Sequence, residues 1–141
     1  MIAVHSQRQW FQEMEDANIQ PAKDEDSEHP IADAWRPTLR QVVTALAKDD
    51  YDMLRGIAGV APMITASVNY IRANIRDYGE TLTALADDTW STSVARWMGT
   101  HWEVLVDLST EECVRSDLVL HLLVFETSNG WRFEISSVHV P

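Results

Sequence analysis

Hydrophobic positions along the chain change period once, near Gly79. Before it, apolar residues recur at helical spacing; after it, they alternate. Leu39, Val42, Val43 and Leu46 fall at i, i+3, i+4 and i+7 and predict a helix over about 34–49. Asp33 stands where a cap would, and Pro37 is tolerated in a first turn, where its missing N–H has no helical partner to lose. The run Asp49-Asp50-Tyr51-Asp52-Met53-Leu54 predicts a short helix ending near Gly56, and Gly59 and Pro62 mark an irregular connection. A third long helix is expected to open with Thr65 as its cap. It carries Val68, Ile71, Ile75 and Tyr78 on one side and stops at Gly79. Arg72 and Arg76 share its exposed stripe at i, i+4, where local ion pairs are their ordinary role.

Upstream, Ser6-Gln7-Arg8-Gln9 has capping-box spacing, with Trp10, Phe11 and Met14 following. A short amphipathic helix is expected over about 7–17. Lys23 to His29 is charged and aperiodic, which reads as a linker. Residues 1–30 are therefore expected to be an acidic helix and linker, and 31–141 a single domain.

Beyond Gly79 the reading is of strands. Thr81–Leu85 is a weak candidate and Trp90–Trp97 a better one. In Trp102–Leu108, residues Trp102, Val104, Val106 and Leu108 face one way. Thr110–Ser116 is a polar loop. Asp117–Thr127 and Trp131–Val140 form a hairpin over Ser128-Asn129-Gly130. An Asn-Gly turn would pair Ser128 with Trp131; a three-residue loop would pair Thr127 with Trp131. The second choice sets Glu126 opposite Arg132. It also gathers Trp131, Phe133 and Ile135 with Leu123, Phe125, His121, Ser137 and His139 on one face. Cross-strand pairs are each worth about 0.2–1 kcal/mol, which favours that register.

The resulting class is α+β: helices first, packed on a four- to five-stranded antiparallel sheet. A chain of 141 residues buries a real core as one domain. The opening residues lack the basic and apolar regions of a secretory signal, and Cys113 is the only cysteine, both of which suit the cytoplasm. The net charge of −11 argues against nucleic acid or anionic membrane as partners and permits a basic protein. Residues 1–33 hold eight acids and two bases, so −6 of that charge lies in under a quarter of the chain.

Candidate chemistry is sparse. His101, His121 and His139 would converge only on a curled sheet and lack the local spacing of zinc ligands. Hydrogen-bonded histidines on a half-apolar face are the ordinary reading, and no metal or cofactor is expected. Asp77 and Tyr78 have the residue types of a general base and a hydrogen-bond donor, but sit where a solvated helix end would put them. Asp107, opposite the Trp102 face, needs a partner if covered, and Arg96 or Arg115 is the expected one. Cys113 follows Glu111 and Glu112, whose charges disfavour a thiolate. Trp90, Trp97, Trp102 and Trp131 are expected to build the core.

The C-terminal part resembles a family of small uncharacterised bacterial proteins, a domain of unknown function. The resemblance rests on His29-Pro30 with Trp35-Arg36-Pro37, on Asp77 to Leu82, on Trp90 to Ser93, and on Trp97-Met98-Gly99. Trp102 to Leu108, Arg115 to Leu120 and the closing Val138-His139-Val140-Pro141 complete it. It covers roughly 29–141 and implies no activity. Cys113-Val114 departs from the Glu-Gly expected in that loop. The order of helices followed by a meander is also similar to the cystatin-like cone of the nuclear-transport-factor-2-like superfamily, which implies a fold and no function.

These features predict a non-enzymatic binding protein, more narrowly an immunity-type inhibitor of a basic toxin domain such as a nuclease. Glu13, Glu15, Asp16, Asp24, Glu25, Asp26 and Glu28 are the expected partner-binding residues. One other reading is a small-molecule binder or enzyme with a pocket lined by Trp97, Trp102, His121, Trp131 and His139. Another is a homodimeric scaffold paired through the sheet face.

Overall fold

The computed structural model describes residues 18–141. The helix expected over 7–17, and with it Glu13, Glu15 and Asp16, lies outside the described residues. A single 3-10 turn at Asp33–Trp35 leads into α1, Arg36–Ala47, with Pro37 in its first turn. All four stripe residues, Leu39, Val42, Val43 and Leu46, are buried. Asp33 does not cap the helix. Its Oδ2 accepts the Ile19 N–H at 3.0 Å and its Oδ1 lies 3.5 Å from Arg36. A tertiary donor has taken the carboxylate that a local cap would have used.

Asp50 caps α2, Tyr51–Arg55, by accepting the Met53 N–H at 2.9 Å. Helix α3, Thr65–Tyr78, has Thr65 as its first residue rather than its cap, and ends at left-handed Gly79. It is tied to the sheet by the Asn74 amide, which donates to the Val138 carbonyl at 2.9 Å.

The sheet comprises β1 (Val94–Trp97), β2 (Trp102–Asp107), β3 (Val119–Thr127) and β4 (Gly130–His139). They form one open antiparallel meander in chain order. The architecture is α+β with the helices before the sheet. Two expected strands shrink. Trp90 lies in a 3-10 turn, Asp87–Ser91, because Thr89 and Ser93 hydroxyls fold back onto the Ala86 and Thr89 carbonyls. Thr81–Leu85 forms no strand and makes a single bridge, Leu82 to Thr110.

The hairpin register is also corrected. Ser128-Asn129 is the turn, and Thr127 pairs with Gly130, Glu126 with Trp131, and Phe125 with Arg132. Gly130 takes a positive φ of 153° that suits glycine at this corner. The shift puts Trp131 and Phe133 on the face of Leu122 and Val124 rather than that of Leu123 and Phe125. Burying one large apolar side chain is worth about 1.5–3 kcal/mol, more than the 0.2–1 kcal/mol of a Glu126–Arg132 pair. A bulge then offsets the strands beyond His121/Leu122 and returns Val138 to the core beside Leu120.

Helices and sheet close on one another around Trp35. Its ring lies 5.2 Å from that of Trp102 and 5.5 Å from that of Trp131, edge to face. Leu39, Val42, Ile71, Val104, Val106, Leu122, Val124 and Phe133 complete the core. Gly59 lets the 59–61 segment run against β4: its φ is +83°, and a Cβ there would stand 2.9 Å from the Trp131 carbonyl. Among the described residues, no helix is long and apolar enough to cross a membrane.

Candidate functional site

The acidic stretch read as a linker is an ordered strap along the β1 edge. His29 and Ala95 exchange backbone hydrogen bonds of 2.8 Å in both directions. The Trp102 indole N–H donates to the Ala22 carbonyl at 3.0 Å, 80 residues away in sequence. Lys23 pairs with Glu126 at 3.0 Å and lies 5.3 Å above the Trp97 ring. Arg96 donates to the Glu25 carbonyl at 3.1 Å. The aromatic block thus supplies the dock on which the strap lies.

Within the strap, Asp24 closes a tight turn. Its carboxylate is bonded to His29 Nε2 at 2.9 Å, accepts the Ser27 hydroxyl at 2.7 Å, and accepts the Asp26 N–H at 2.9 Å. Those bonds, His29 first, hold its carboxyl down at about 2. Asp24 is therefore committed to holding the strap's shape. Among the described residues Glu25, Asp26 and Glu28 have no such partners, and all three are exposed. The turn presents three carboxylates within four residues on a backbone fixed at both ends.

The five-residue pocket is corrected. Trp97, Trp102 and Trp131 do converge: Trp97 and Trp102 rings are 4.5 Å apart, and Trp102 and Trp131 rings 5.8 Å apart. Trp35 and the Ala22 carbonyl fill the space between and beside them, so this face is core. His121 and His139 point from the opposite face, because they fall on alternate strand positions. Their rings lie 6.2 Å apart. His139 Nδ1 bonds the Ser137 hydroxyl at 2.7 Å, and His121 Nε2 lies 3.7 Å from Glu103. His101 bonds Thr100 and stacks on Phe125 at 5.0 Å. Among the described residues no three His, Cys, Asp or Glu side chains group as a metal site.

The other candidates resolve into structural roles. Asp107 is held by the Thr92 hydroxyl, not by arginine; Arg115 pairs with Asp88 and Arg96 with the strap. The Tyr78 hydroxyl accepts the Asp117 N–H at 3.0 Å, and Asp77 is exposed. The Cys113 thiol donates to the Arg115 carbonyl at 3.0 Å.

One concavity escaped the sequence reading. A groove of about 710 Å³ runs between the end of α1, α2 and α3, lined among others by Leu46, Tyr51, Arg72, Arg76 and Thr81. Arg72 reaches Asp49 at 2.7 Å and lies 5.5 Å over the Tyr51 ring. Burial, then the Asp49 charge, pushes the Tyr51 hydroxyl up to about 12. The signal in sequence was the Arg72/Arg76 stripe, but Arg72's partner lies 23 residues away and no local rule reaches it.

Residues 43–141 match a family described as a domain of unknown function, DUF7668, and the chain belongs to that family. The match takes in the last five residues of α1, all of α2 and α3, and the whole sheet, and begins after the strap. No curated protein and no solved structure matches the chain.

Proposed function

We propose that this DUF7668-family protein is a non-enzymatic binding protein that presents its acidic strap to a basic surface of another protein. The observation that carries the reading is the pinning of the strap. Glu25, Asp26 and Glu28 project from a backbone tied to Ala95, Trp102 and Arg96. A backbone fixed beforehand loses little further conformational entropy on binding, and the exposed carboxylates favour fast, salt-sensitive encounter with a cationic partner. The chain's net charge of −11 adds long-range attraction of the same sign.

The narrower form of the proposal is an immunity-type inhibitor in the bacterial cytoplasm, covering the basic substrate groove of a toxin domain such as a nuclease. A nuclease must hold phosphates, so its groove is cationic, and carboxylates on a fixed backbone mimic that substrate. The single cysteine suits the compartment. The cystatin-like likeness belongs to the same proposal and rests on element order alone.

Co-expression with a basic nuclease toxin encoded beside the gene tests this. The wild-type chain is expected to restore growth. A Glu25→Lys, Asp26→Lys, Glu28→Lys variant, folded by circular dichroism, is expected to lose that protection. Equal protection by the triple variant, or none by the wild type, counts against the proposal.

A further inference from the structure

Helix α3 serves two sides of the molecule. Ile71 is buried in the core and Asn74 is bonded to β4. Asn69, Arg72, Ala73 and Arg76, spaced i, i+3, i+4 and i+7, line the groove between the end of α1, α2 and α3. Ala73 keeps that stripe low beside the two arginines. Leu46, Ala47, Ile75 and Leu82 give the groove an apolar lining. Its volume of about 710 Å³ lies in the range of small-molecule sites, and it shares no residue with the strap.

The polar groups of the groove are unevenly spent. Its acids are turned to protein partners: Asp49 accepts an Arg72 N–H at 2.7 Å, and Glu80 accepts the Thr110 hydroxyl at 2.6 Å. Its donors are not. Arg72 gives a single N–H to Asp49, and a guanidinium carries several more. Arg76 meets Asp77 at 3.4 Å with both side chains mostly exposed, a contact of little worth. The Tyr51 hydroxyl is closed to water and has no partner among the described residues. A buried hydroxyl left so costs stability, and an acceptor carried by a bound molecule satisfies it. Spare donors beside an apolar lining fit a molecule with an anionic, acceptor-rich head and an apolar body. The chain's net charge of −11, with Asp49 and Glu80 in the groove itself, works against a doubly charged head such as a phosphate monoester. We propose that the groove binds a small organic carboxylate, its head held by Arg72, Arg76 and the Tyr51 hydroxyl and its apolar body laid along Leu46, Ile75 and Leu82.

Octanoate is the probe, titrated calorimetrically into the full chain. It is expected to bind saturably, with octanol and acetate about tenfold weaker or more and octyl phosphate no tighter. Arg72→Ala and Arg76→Ala should each weaken octanoate about tenfold. Arg76 is exposed, so its variant keeps the test open should the loss of the Asp49 pair unfold the other. Ala73→Phe, which fills the groove, should abolish binding while leaving circular dichroism in place. Tyr51→Phe should weaken binding severalfold without lowering the melting temperature, because the hydroxyl it removes has no partner in the free protein. Absence of saturable octanoate binding overturns the proposal, as does wild-type affinity in Arg76→Ala and Ala73→Phe. Octanol binding as tightly as octanoate overturns the anionic head, and tighter octyl phosphate overturns its single charge. Unchanged affinity in Tyr51→Phe overturns the part given to the hydroxyl.

Discussion

The two faces of the sheet are made by the same four strands from alternating residues, and they have met opposite fates. On the inner face Trp102, Val104, Leu122, Val124 and Phe133 are buried under α1 and around Trp35. On the outer face Leu105, Leu123 and Phe125 are half-buried among charged and histidine neighbours. Leu122 and Leu123 are adjacent and chemically identical, yet only one is core. The difference teaches that apolar character did not choose the face; the α1 stripe and the single inward Trp35 did. It also explains why the strap lies where it does. The inner aromatic cluster ends at the β1 edge, and the Trp102 indole N–H there takes its acceptor from Ala22.

Trp102→Ala is expected to cost about 3–5 kcal/mol in urea unfolding, because it empties the middle of a packed cluster. A loss near 1 kcal/mol would mean that the cluster is loosely held. Next, Leu122→Ala should cost about 2–5 kcal/mol and Leu123→Ala under about 1 kcal/mol, both measured by urea unfolding. Equal costs would erase the distinction between the faces.

A finer probe is Trp102→Phe, which keeps an aromatic ring and deletes the N–H. It should cost about 1–3 kcal/mol, part lost hydrogen bond and part lost volume. Hydrogen exchange at His29 and Ala95 should speed up as the strap loosens. Unchanged exchange would show that the strap is held without its indole bond.

The smallest effect concerns Asp24. Its carboxyl titrates near 3.8 when unperturbed and near 2 in the fold. The unfolded chain therefore takes up the proton first as pH falls. The contribution of the turn is whole above about pH 4 and is lost as pH falls through about 2. Asp24→Asn should flatten the acid limb of the stability profile in that window. A profile identical to wild type would show that the turn does not depend on the carboxylate.

Much of the fold was legible because its signals are local. The α1 stripe, the short α2 ending near Gly56, the Gly79 stop and the alternation in β2 each depend on residues a few positions apart. The hairpin was legible as a hairpin but not in register. Ser128-Asn129-Gly130 admits several turns, and the choice among them rests on whether Trp131 meets Leu122 and Val124 across the strands. The bulge past His121 had no signal in either strand alone. The strap was misread as a linker because its ties span 66 to 103 residues, from His29–Ala95 to Lys23–Glu126. Of the expected partner-binding residues, Glu25, Asp26 and Glu28 are exposed on the strap, and Asp24 is spent in shaping it.

The sequence by itself determined the class, the order of helices before strands, the core stripe of α1 and the concentration of acid near the start. These follow from periodicity and composition, which act through neighbours in the chain. Only the tertiary structure decided which sheet face is core, where the hairpin turns, and that an acidic stretch without local order is fixed on the β1 edge. Those outcomes depend on free energies shared between distant segments: apolar area buried between α1 and the sheet, and hydrogen bonds whose donor and acceptor meet only after folding.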